Sequence, residues 1–214
     1  MPRTLEAELL DILPIDSPDA RRSRRDLLRI NRLMGNHAWF ERVVPDLAEP
    51  GDHALELGAG DGILALRLRA AGLRTDALDR FPAPRRWPAT ARWHAADLRC
   101  FDRWADYPVV LANLVLHHLD DAELANLGAR LDLHARVLVF NEPLRRARAR
   151  VLWTLGAPLG GACSVTRHDG RLSIDAGFRD DELPRALRLD PARWEWRVGE
   201  TFLGACRLVA LRRP

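Results

Sequence analysis

The stretch ALELGAGDGILALRLRAAG, residues 54–72, places Gly58, Gly60 and Gly62 at alternate positions between two apolar runs. The pattern predicts a strand, a tight turn and a helix. Without a Cβ atom the backbone of such a turn can approach a ligand closely, and the helix start offers unpaired N–H groups. Ligands of parallel sheets bind at the carboxyl ends of strands. The stretch therefore predicts a ligand-binding turn, with a purely structural turn as the alternative.

The composition fits one globular domain. The chain has 214 residues, of which 47% are hydrophobic and 29% are charged, which is enough for one sizeable core and too little for two full domains. Its 33 basic side chains are all arginines, because lysine is absent, and the formal net charge is +3. The absence of lysine excludes Schiff-base chemistry and a P-loop.

The sequence predicts a cytoplasmic protein. Cys100, Cys163 and Cys206 lie far apart, without the paired spacing of a zinc cluster or a disulfide framework, which fits a reducing compartment. Acidic residues interrupt the first apolar run, which is untypical of a signal peptide. No window approaches the roughly 18 apolar residues of a membrane-spanning helix.

Strand patterns alternate with helical patterns along most of the chain, which predicts βαβ crossovers and a three-layer α/β fold. Two further alternating runs, residues 194–198 and 202–211, predict an antiparallel C-terminal hairpin that turns at Gly199-Glu200. Asp16-Ser17-Pro18 predicts a helix start. We expect an N-terminal helical cap over residues 1–48 and a main domain over residues 49–214, in which residues 151–178 form an inserted lid over the substrate.

The glycine motif is not the G-x-G-x-x-G of dinucleotide-binding folds, because Ile63 follows Gly62; it is E-x-G-x-G-x-G, beginning at Glu56. This motif resembles the first motif of class I S-adenosylmethionine-dependent methyltransferases. Later residues follow the same family order, with Asp79, Asp97 and Asn113 at the ends of the next three strands. The run after Asn113, LVLHHL, is similar to the fourth motif of small-molecule methyltransferases.

The resemblance implies a Rossmann-like, seven-stranded methyltransferase sheet that binds S-adenosylmethionine and releases S-adenosylhomocysteine. It also implies which residues hold the cofactor: Glu56, Gly58, Ala59, Gly60, Gly62, Asp79, Arg80, Asp97, Leu98, Asn113 and Leu114. For each of the later acidic residues taken singly, a solvated loop carboxylate or a helix cap is the alternative.

The sequence excludes several classes of methyl acceptor. The fourth strand is not followed by the N-P-P-Y-like motif that is typical of enzymes that methylate base amines, and the chain has no lysine, on which ribose methyltransferases commonly rely. No cysteine is placed for attack on cytosine, and we see no acidic cluster spaced for a metal, so we expect no metal cofactor. The remaining prediction is a small, fairly apolar acceptor of phenolic, quinone or polyketide type, methylated at oxygen or carbon. The run INRLMGNH and Arg167-His168-Asp169 resemble methyltransferases of aromatic polyketide and quinone pathways.

Three histidines are candidates for the general base, because an imidazole titrates near neutral pH. His117 and His118 follow the fourth strand, and His168 lies in the predicted lid. The alternative for the adjacent pair is that one ring faces away from the pocket and caps the next helix. Glu142, at the end of the fifth strand, either orients an acceptor hydroxyl or pairs with an arginine.

Two arginine clusters, residues 21–25 and 145–150, support a rival prediction. An RNA-directed methyltransferase or an RNA-binding protein needs such basic patches. Both clusters lie in helical patterns beside acidic residues, so solvated helix faces are the favoured interpretation and a small-molecule partner is expected rather than nucleic acid. A third hypothesis is a non-catalytic cofactor-binding domain that serves another enzyme. The oligomeric state is not indicated.

Overall fold

The computed structural model describes residues 2–14 and 16–214 and contains a seven-stranded sheet. In spatial order the strands are β3-β2-β1-β4-β5-β7-β6; the first five are parallel, and β7 runs antiparallel to both β5 and β6. The α/β prediction and the antiparallel C-terminal pair are thereby confirmed. The strands are β1 (His53–Leu57), β2 (Arg74–Asp79), β3 (Trp93–Ala95), β4 (Val109–Asn113), β5 (Val137–Pro143), β6 (Trp194–Glu200) and β7 (Ala205–Arg212).

Eight α-helices accompany the sheet in the described part of the chain. The predicted helix start is confirmed, because the Ser17 side chain accepts a hydrogen bond from the amide of Ala20 at the head of α2. None of these helices is long and apolar enough to cross a membrane. They are α1 (Leu9–Ile12), α2 (Pro18–Leu33), α3 (Asn36–Leu47), α4 (Ile63–Ala70), α5 (Asp121–His134), α6 (Ala147–Leu159), α7 (Ser164–Ala176) and α8 (Glu182–Ala186).

The helices form a layer on each face of the sheet. Trp39, Phe40 and Val44 of α3 are buried with apolar residues of α4 against one face, while α5 and α8 cover the other face. The predicted boundary at residue 48 falls in the connection between α3 and β1. Helix α3, which belongs to the predicted cap, packs into the core of the main domain.

The predicted turn of the hairpin at Gly199-Glu200 is wrong. Gly199 and Glu200 continue β6 and pair with Arg207 and Cys206, and the chain reverses over residues 201–204. The turn is closed by the amide of Ala205, which donates to the hydroxyl of Thr201 at 2.9 Å. A glycine inside a strand can pair normally, so the presence of Gly199 alone does not mark the position of the turn. Phe202 and Leu203, predicted to be strand residues, lie exposed at its tip.

The strand order places a ligand site at one edge of the sheet. From β1 the chain first adds β2 and β3 on one side and then crosses to β4 and β5 on the other side. The order therefore reverses between β1 and β4, and open α/β sheets bind ligands outside the carboxyl ends of the strands at such a point. Helices α6 and α7 follow β5 and pack together, and α7 also contacts α1 and α2. These helices enclose the space above that edge.

Candidate active site

A cavity of about 1020 Å³ opens at the carboxyl ends of β1, β2 and β4. Its floor is formed by the glycine turn and the strand ends, and its walls come from the N-terminal segment, α2, α6 and α7. Small-molecule sites typically measure about 300–1,000 Å³. The cavity therefore has room for a nucleoside-sized ligand together with a second small molecule.

All three glycines of the turn have left-handed backbones, with φ of +60° at Gly58, +59° at Gly60 and +71° at Gly62. An added Cβ at Gly58 would lie 2.4 Å from the Val115 side chain, and one at Gly62 would lie 2.4 Å from the Trp87 ring. An added Cβ at Gly60 would meet no atom within 4 Å. The missing side chains of Gly58 and Gly62 thus make room for Val115 and Trp87, whereas the missing side chain of Gly60 leaves open space in the cavity.

Glu56 lies in the buried part of β1 beneath this turn. Its Oε2 accepts a 2.8 Å hydrogen bond from the amide of Ala65 in α4, which ties the strand to the helix. Burial raises the pKa of Glu56 to about 8, and the nearby carboxylates of Asp61 and Asp79 add to the shift. The buried position therefore favours the protonated form of this side chain near neutral pH.

Asp79 is the last residue of β2 and lies next to the glycine turn that follows β1. Its Oδ2 accepts a 2.7 Å bond from the amide of Gly60, and its Oδ1 accepts a 2.9 Å bond from the amide of Phe81. Each carboxylate oxygen has a further lone pair, and Asp79 lines the cavity. Arg80 also lines it, lies over the Phe81 ring at 4.8 Å and pairs with Asp11 at 2.6 Å.

Asp97, Leu98 and Ala59 complete the wall near Asp79. Asp97 begins a short 3₁₀ turn, where its Oδ1 accepts a 2.8 Å bond from the amide of Arg99. Its side chain is 44% exposed and pairs with the Arg99 guanidinium at 3.0 Å. The contacts between Asp97 and Arg99 stabilise the loop after β3, which lines the cavity.

Asn113 lies in a chain of side-chain amides that joins α2 to the sheet. Its Nδ2 donates to Asn31 of α2 at 3.1 Å, and its Oδ1 accepts from Asn141 of β5 at 2.9 Å. Asn36 donates to the same Asn31 oxygen at 3.0 Å. Next to Asn113, Leu114 has a φ of +60°, which is uncommon for a residue with a side chain. The network fixes this strand end against α2.

His117 is buried beside the cavity between two carboxylates. Its Nδ1 lies 2.7 Å from Oε2 of Glu142, and its Nε2 lies 3.5 Å from Oε1 of Glu8. Burial lowers the pKa of the ring, but these two carboxylates outweigh it and raise the pKa of His117 to about 9. Within the described chain, Nε2 is a buried atom without a hydrogen-bond partner.

Glu142 is fully buried at the end of β5 and fixes the turn that carries His117. Its carboxylate accepts the amides of Val115, Leu116 and His117 at 3.1, 2.9 and 3.2 Å. Because these donors make it an acceptor, His117 Nδ1 must carry the proton of their shared hydrogen bond. The contacts of Glu142 in the described part of the chain are with this turn and with the His117 ring rather than with an arginine.

The other predicted histidines occupy different positions. His118 lines the cavity, and its ring lies 4.2 Å from that of His117; burial and the neighbouring His117 lower its pKa. His168 is outside the cavity lining, 52% exposed, and its Nδ1 contacts Asp169 at 3.2 Å. The structure therefore brings His117 and His118 together at the cavity and leaves His168 on the surface.

The N-terminal segment covers the polar end of the cavity. Arg3 anchors it by donating to the carbonyls of Leu119 and Ala176 at 2.6 and 2.9 Å. The amides of Leu9 and Leu10 donate to Asp169 at 2.8 and 2.9 Å. Glu8 is thereby held beside His117 and His118, and one ligand atom of each of the three lies within 4.8 Å of the others, a set that can hold a metal ion.

The second arginine cluster is engaged within the protein. Arg145 is buried and bonds to Glu182, Arg146 and Arg148 contact Glu200, and Arg150 pairs with Asp175. Paired arginines offer little free charge to a phosphate backbone. The contacts of this second cluster therefore do not favour the nucleic-acid alternative.

The comparisons with known proteins agree with this architecture. The structure is similar to the plantazolicin methyltransferase BpumL in complex with SAH, with a TM-score of 0.71, 11% identity, and coverage of 94% of this chain and 92% of that chain. The N-methyltransferase NodS from Bradyrhizobium japonicum WM9, in complex with S-adenosyl-L-homocysteine, gives a TM-score of 0.56, 16% identity, and coverage of 85% and 87%.

A structure from work on the conversion of a disulfide bond into a thioacetal group during echinomycin biosynthesis gives a TM-score of 0.55, 16% identity, and coverage of 83% and 80%. No family model and no curated protein matches the sequence. Identities at this level establish a common fold alone. The chain has the α/β fold of these proteins, and its own sheet has seven strands with an antiparallel C-terminal pair.

Proposed function

We propose that the protein is an S-adenosylmethionine-dependent methyltransferase acting on a small, fairly apolar acceptor. The observation that carries the proposal is the pairing of Gly60 and Asp79 at the carboxyl ends of β1 and β2, beside the point where the strand order reverses. An open backbone position and a carboxylate with spare lone pairs there suit a nucleoside ligand. The similar folds crystallised with SAH support the same choice of cofactor.

The residues at the strand ends fit the cofactor. Gly60 leaves space for its backbone to approach the ligand, and Asp79 can accept hydrogen bonds from ribose hydroxyls. Asp97 and Leu98 border the place expected for the adenine, and Asn113 and Leu114 the place expected for the amino-acid end. When bound, S-adenosylmethionine supplies an activated methyl group on a sulfonium.

The walls of the cavity favour an apolar acceptor. Leu27, Leu114, Leu152 and Trp153 line it, and Trp153 is held against α7 by donating to the carbonyl of Arg167 at 3.1 Å. Apolar walls with a few convergent polar groups are typical of small-molecule sites. A planar phenolic or quinone-type ring fits such walls better than a nucleic-acid strand does.

The polar end favours oxygen as the methylated atom. Glu8, His117 and His118 converge there, and the unpartnered Nε2 of His117 marks a position that a bound group completes. A buried polar atom without a partner is costly. An acceptor hydroxyl directed to this end is held in place by these side chains. Its proton can pass to one of the basic groups that converge there.

The test uses S-adenosylmethionine labelled on its methyl group, incubated with the protein and an extract of the source organism. The label is then partitioned between organic solvent and precipitated RNA and protein. We expect label in the organic phase, dependent on the protein and absent with a Gly60→Val variant. Label confined to the precipitate contradicts the small-molecule acceptor and returns attention to the arginines of residues 21–25.

A further inference from the structure

We propose that Glu8, His117 and His118 form a binding site for one divalent metal ion at the polar end of the cavity. The three side chains come from the N-terminal segment and from the turn after β4. One ligand atom of each lies within 4.8 Å of the others. Two imidazoles and a carboxylate are a donor set that Zn²⁺ and other first-row divalent ions accept.

The separation between Glu8 and His117 fits a shared ion better than a direct bond. Oε1 of Glu8 lies 3.5 Å from Nε2 of His117, beyond the ordinary range of an N–H···O hydrogen bond. Two ligands at about 2.0–2.2 Å from a tetrahedral ion lie roughly 3.4 Å apart. Nε2 is buried, faces this gap and has no hydrogen-bond partner in the described chain.

The surroundings of His117 resemble the outer shell of a metal site. Its Nδ1 donates to Glu142 at 2.7 Å, and ligating histidines commonly donate their other nitrogen to a carboxylate in this way. A metal ion that binds at Nε2 takes the place of the proton on that nitrogen, because metal binding to histidine releases protons. Glu142 is itself fixed by three backbone amides. The ring is therefore oriented before any ion binds.

Glu8 is also held in place by neighbouring residues. The hydroxyl of Ser173 donates to its Oε1, and the start of α1, directly after Glu8, is bound by Asp169 of α7. His118 has a further carboxylate nearby, since its Nδ1 lies 3.6 Å from Asp11. Three carboxylates around two imidazoles favour a positive charge at this end of the cavity.

The role of the ion rests on the proposed function, but its binding does not. Three protein ligands leave coordination positions open, and a bound acceptor hydroxyl loses its proton to solvent more readily than a free one. The acceptor oxygen then forms a bond to the methyl carbon while the carbon–sulfur bond breaks. The electron pair of that bond stays on sulfur, giving S-adenosylhomocysteine and the methyl ether.

The test is a Co²⁺ titration of chelator-treated, tag-free protein without cofactor or acceptor, followed by visible absorption. We expect one equivalent to bind and to be displaced by Zn²⁺. Glu8→Gln and His118→Ala should each weaken binding by at least about tenfold. His168→Ala is the matched control, because His168 also lies beside a carboxylate but is exposed and outside the cavity; it should bind Co²⁺ like the wild type.

Absence of saturable Co²⁺ binding overturns the proposal, as does unchanged binding in both ligand variants or an equal loss in His168→Ala. Circular dichroism and S-adenosylhomocysteine binding on the same samples confirm that each variant is folded. The same measurements separate the two proposals. If Co²⁺ fails to bind but S-adenosylhomocysteine binds, the metal site is refuted and the methyltransferase proposal stands; the reverse result refutes the methyltransferase proposal alone.

Discussion

The amide of Gly60 donates a 2.7 Å hydrogen bond to Oδ2 of Asp79, so the turn after β1 is joined directly to the end of β2. This bond fixes the carboxylate at the edge of the cavity, beside the backbone position with open space in front of it. A rigid pair of this kind presents donors and acceptors without having to order them on binding, which reduces the cost of association.

The first prediction concerns this carboxylate. Asp79→Ala should weaken S-adenosylhomocysteine binding by roughly 1.5–3 kcal/mol, because hydrogen bonds to a charged group are lost. Calorimetric titration measures the change. Asp102→Ala, at an exposed acid outside the cavity lining, serves as the control and should bind normally. Equal affinity of wild type and Asp79→Ala would remove Asp79 from the cofactor site.

The second prediction separates the glycines. Gly60→Val should abolish S-adenosylhomocysteine binding while the protein stays folded, because its side chain enters the cavity rather than the core; the left-handed backbone adds a strain of about 1–3 kcal/mol. Gly62→Val should instead lower the melting temperature more strongly, since its Cβ collides with Trp87. Thermal unfolding and calorimetry distinguish the two. Retained binding in Gly60→Val contradicts close approach of the cofactor.

The third prediction is a pH dependence of stability. Burial raises the pKa of Glu56 to about 8 from its usual 4.5, so the folded protein keeps a proton that the unfolded chain releases. The free energy of unfolding should therefore fall as pH rises between these two values and level off above about 8. In Glu56→Gln this contribution disappears. Denaturant unfolding of both proteins across the window tests it; parallel curves would be inconsistent with a raised pKa.

The fourth prediction concerns the acceptor end. His117→Ala should reduce methyl transfer roughly a hundredfold or more, because the acceptor's reacting group loses its positioning, while S-adenosylhomocysteine affinity changes little. His168→Ala should leave both quantities unchanged. Turnover with the acceptor found by label partitioning, together with calorimetry, gives the two readouts. Full activity in His117→Ala would place the chemistry elsewhere in the cavity.

Much of the fold could be predicted because its signals are local. The apolar run 53–57 followed by alternating glycines specifies β1 and the turn, and Ser17 marks the start of α2. The position of the hairpin turn could not be predicted, because the residue type of Gly199 does not reveal that it pairs with Arg207 inside the hairpin. The reversal is set instead by Thr201, which bonds to Ala205, and by the left-handed backbone of Gly204.

The site was predictable where it depends on strand ends and hidden where it depends on distant segments. Gly60 and Asp79 follow from the order of the motifs. Glu8 was missed, because only the folding of the N-terminal segment back over α7 brings it to His117. Asn31 belongs to the run INRLMGNH, but its bond to Asn113, which lies 82 residues further along the chain, appears only in the structure. The packing roles of Gly58 and Gly62 likewise require Val115 and Trp87, which the motif does not contain.

The most direct test of the central claim is a calorimetric titration of the unmodified protein with S-adenosylhomocysteine. The arrangement of Gly60 and Asp79 at the carboxyl ends of β1 and β2 predicts saturable binding of one molecule per chain, with Asp79→Ala weakened and Asp102→Ala unaffected. Absence of saturable binding in correctly folded protein would contradict the account, because the cavity would then serve a different ligand despite the shared fold.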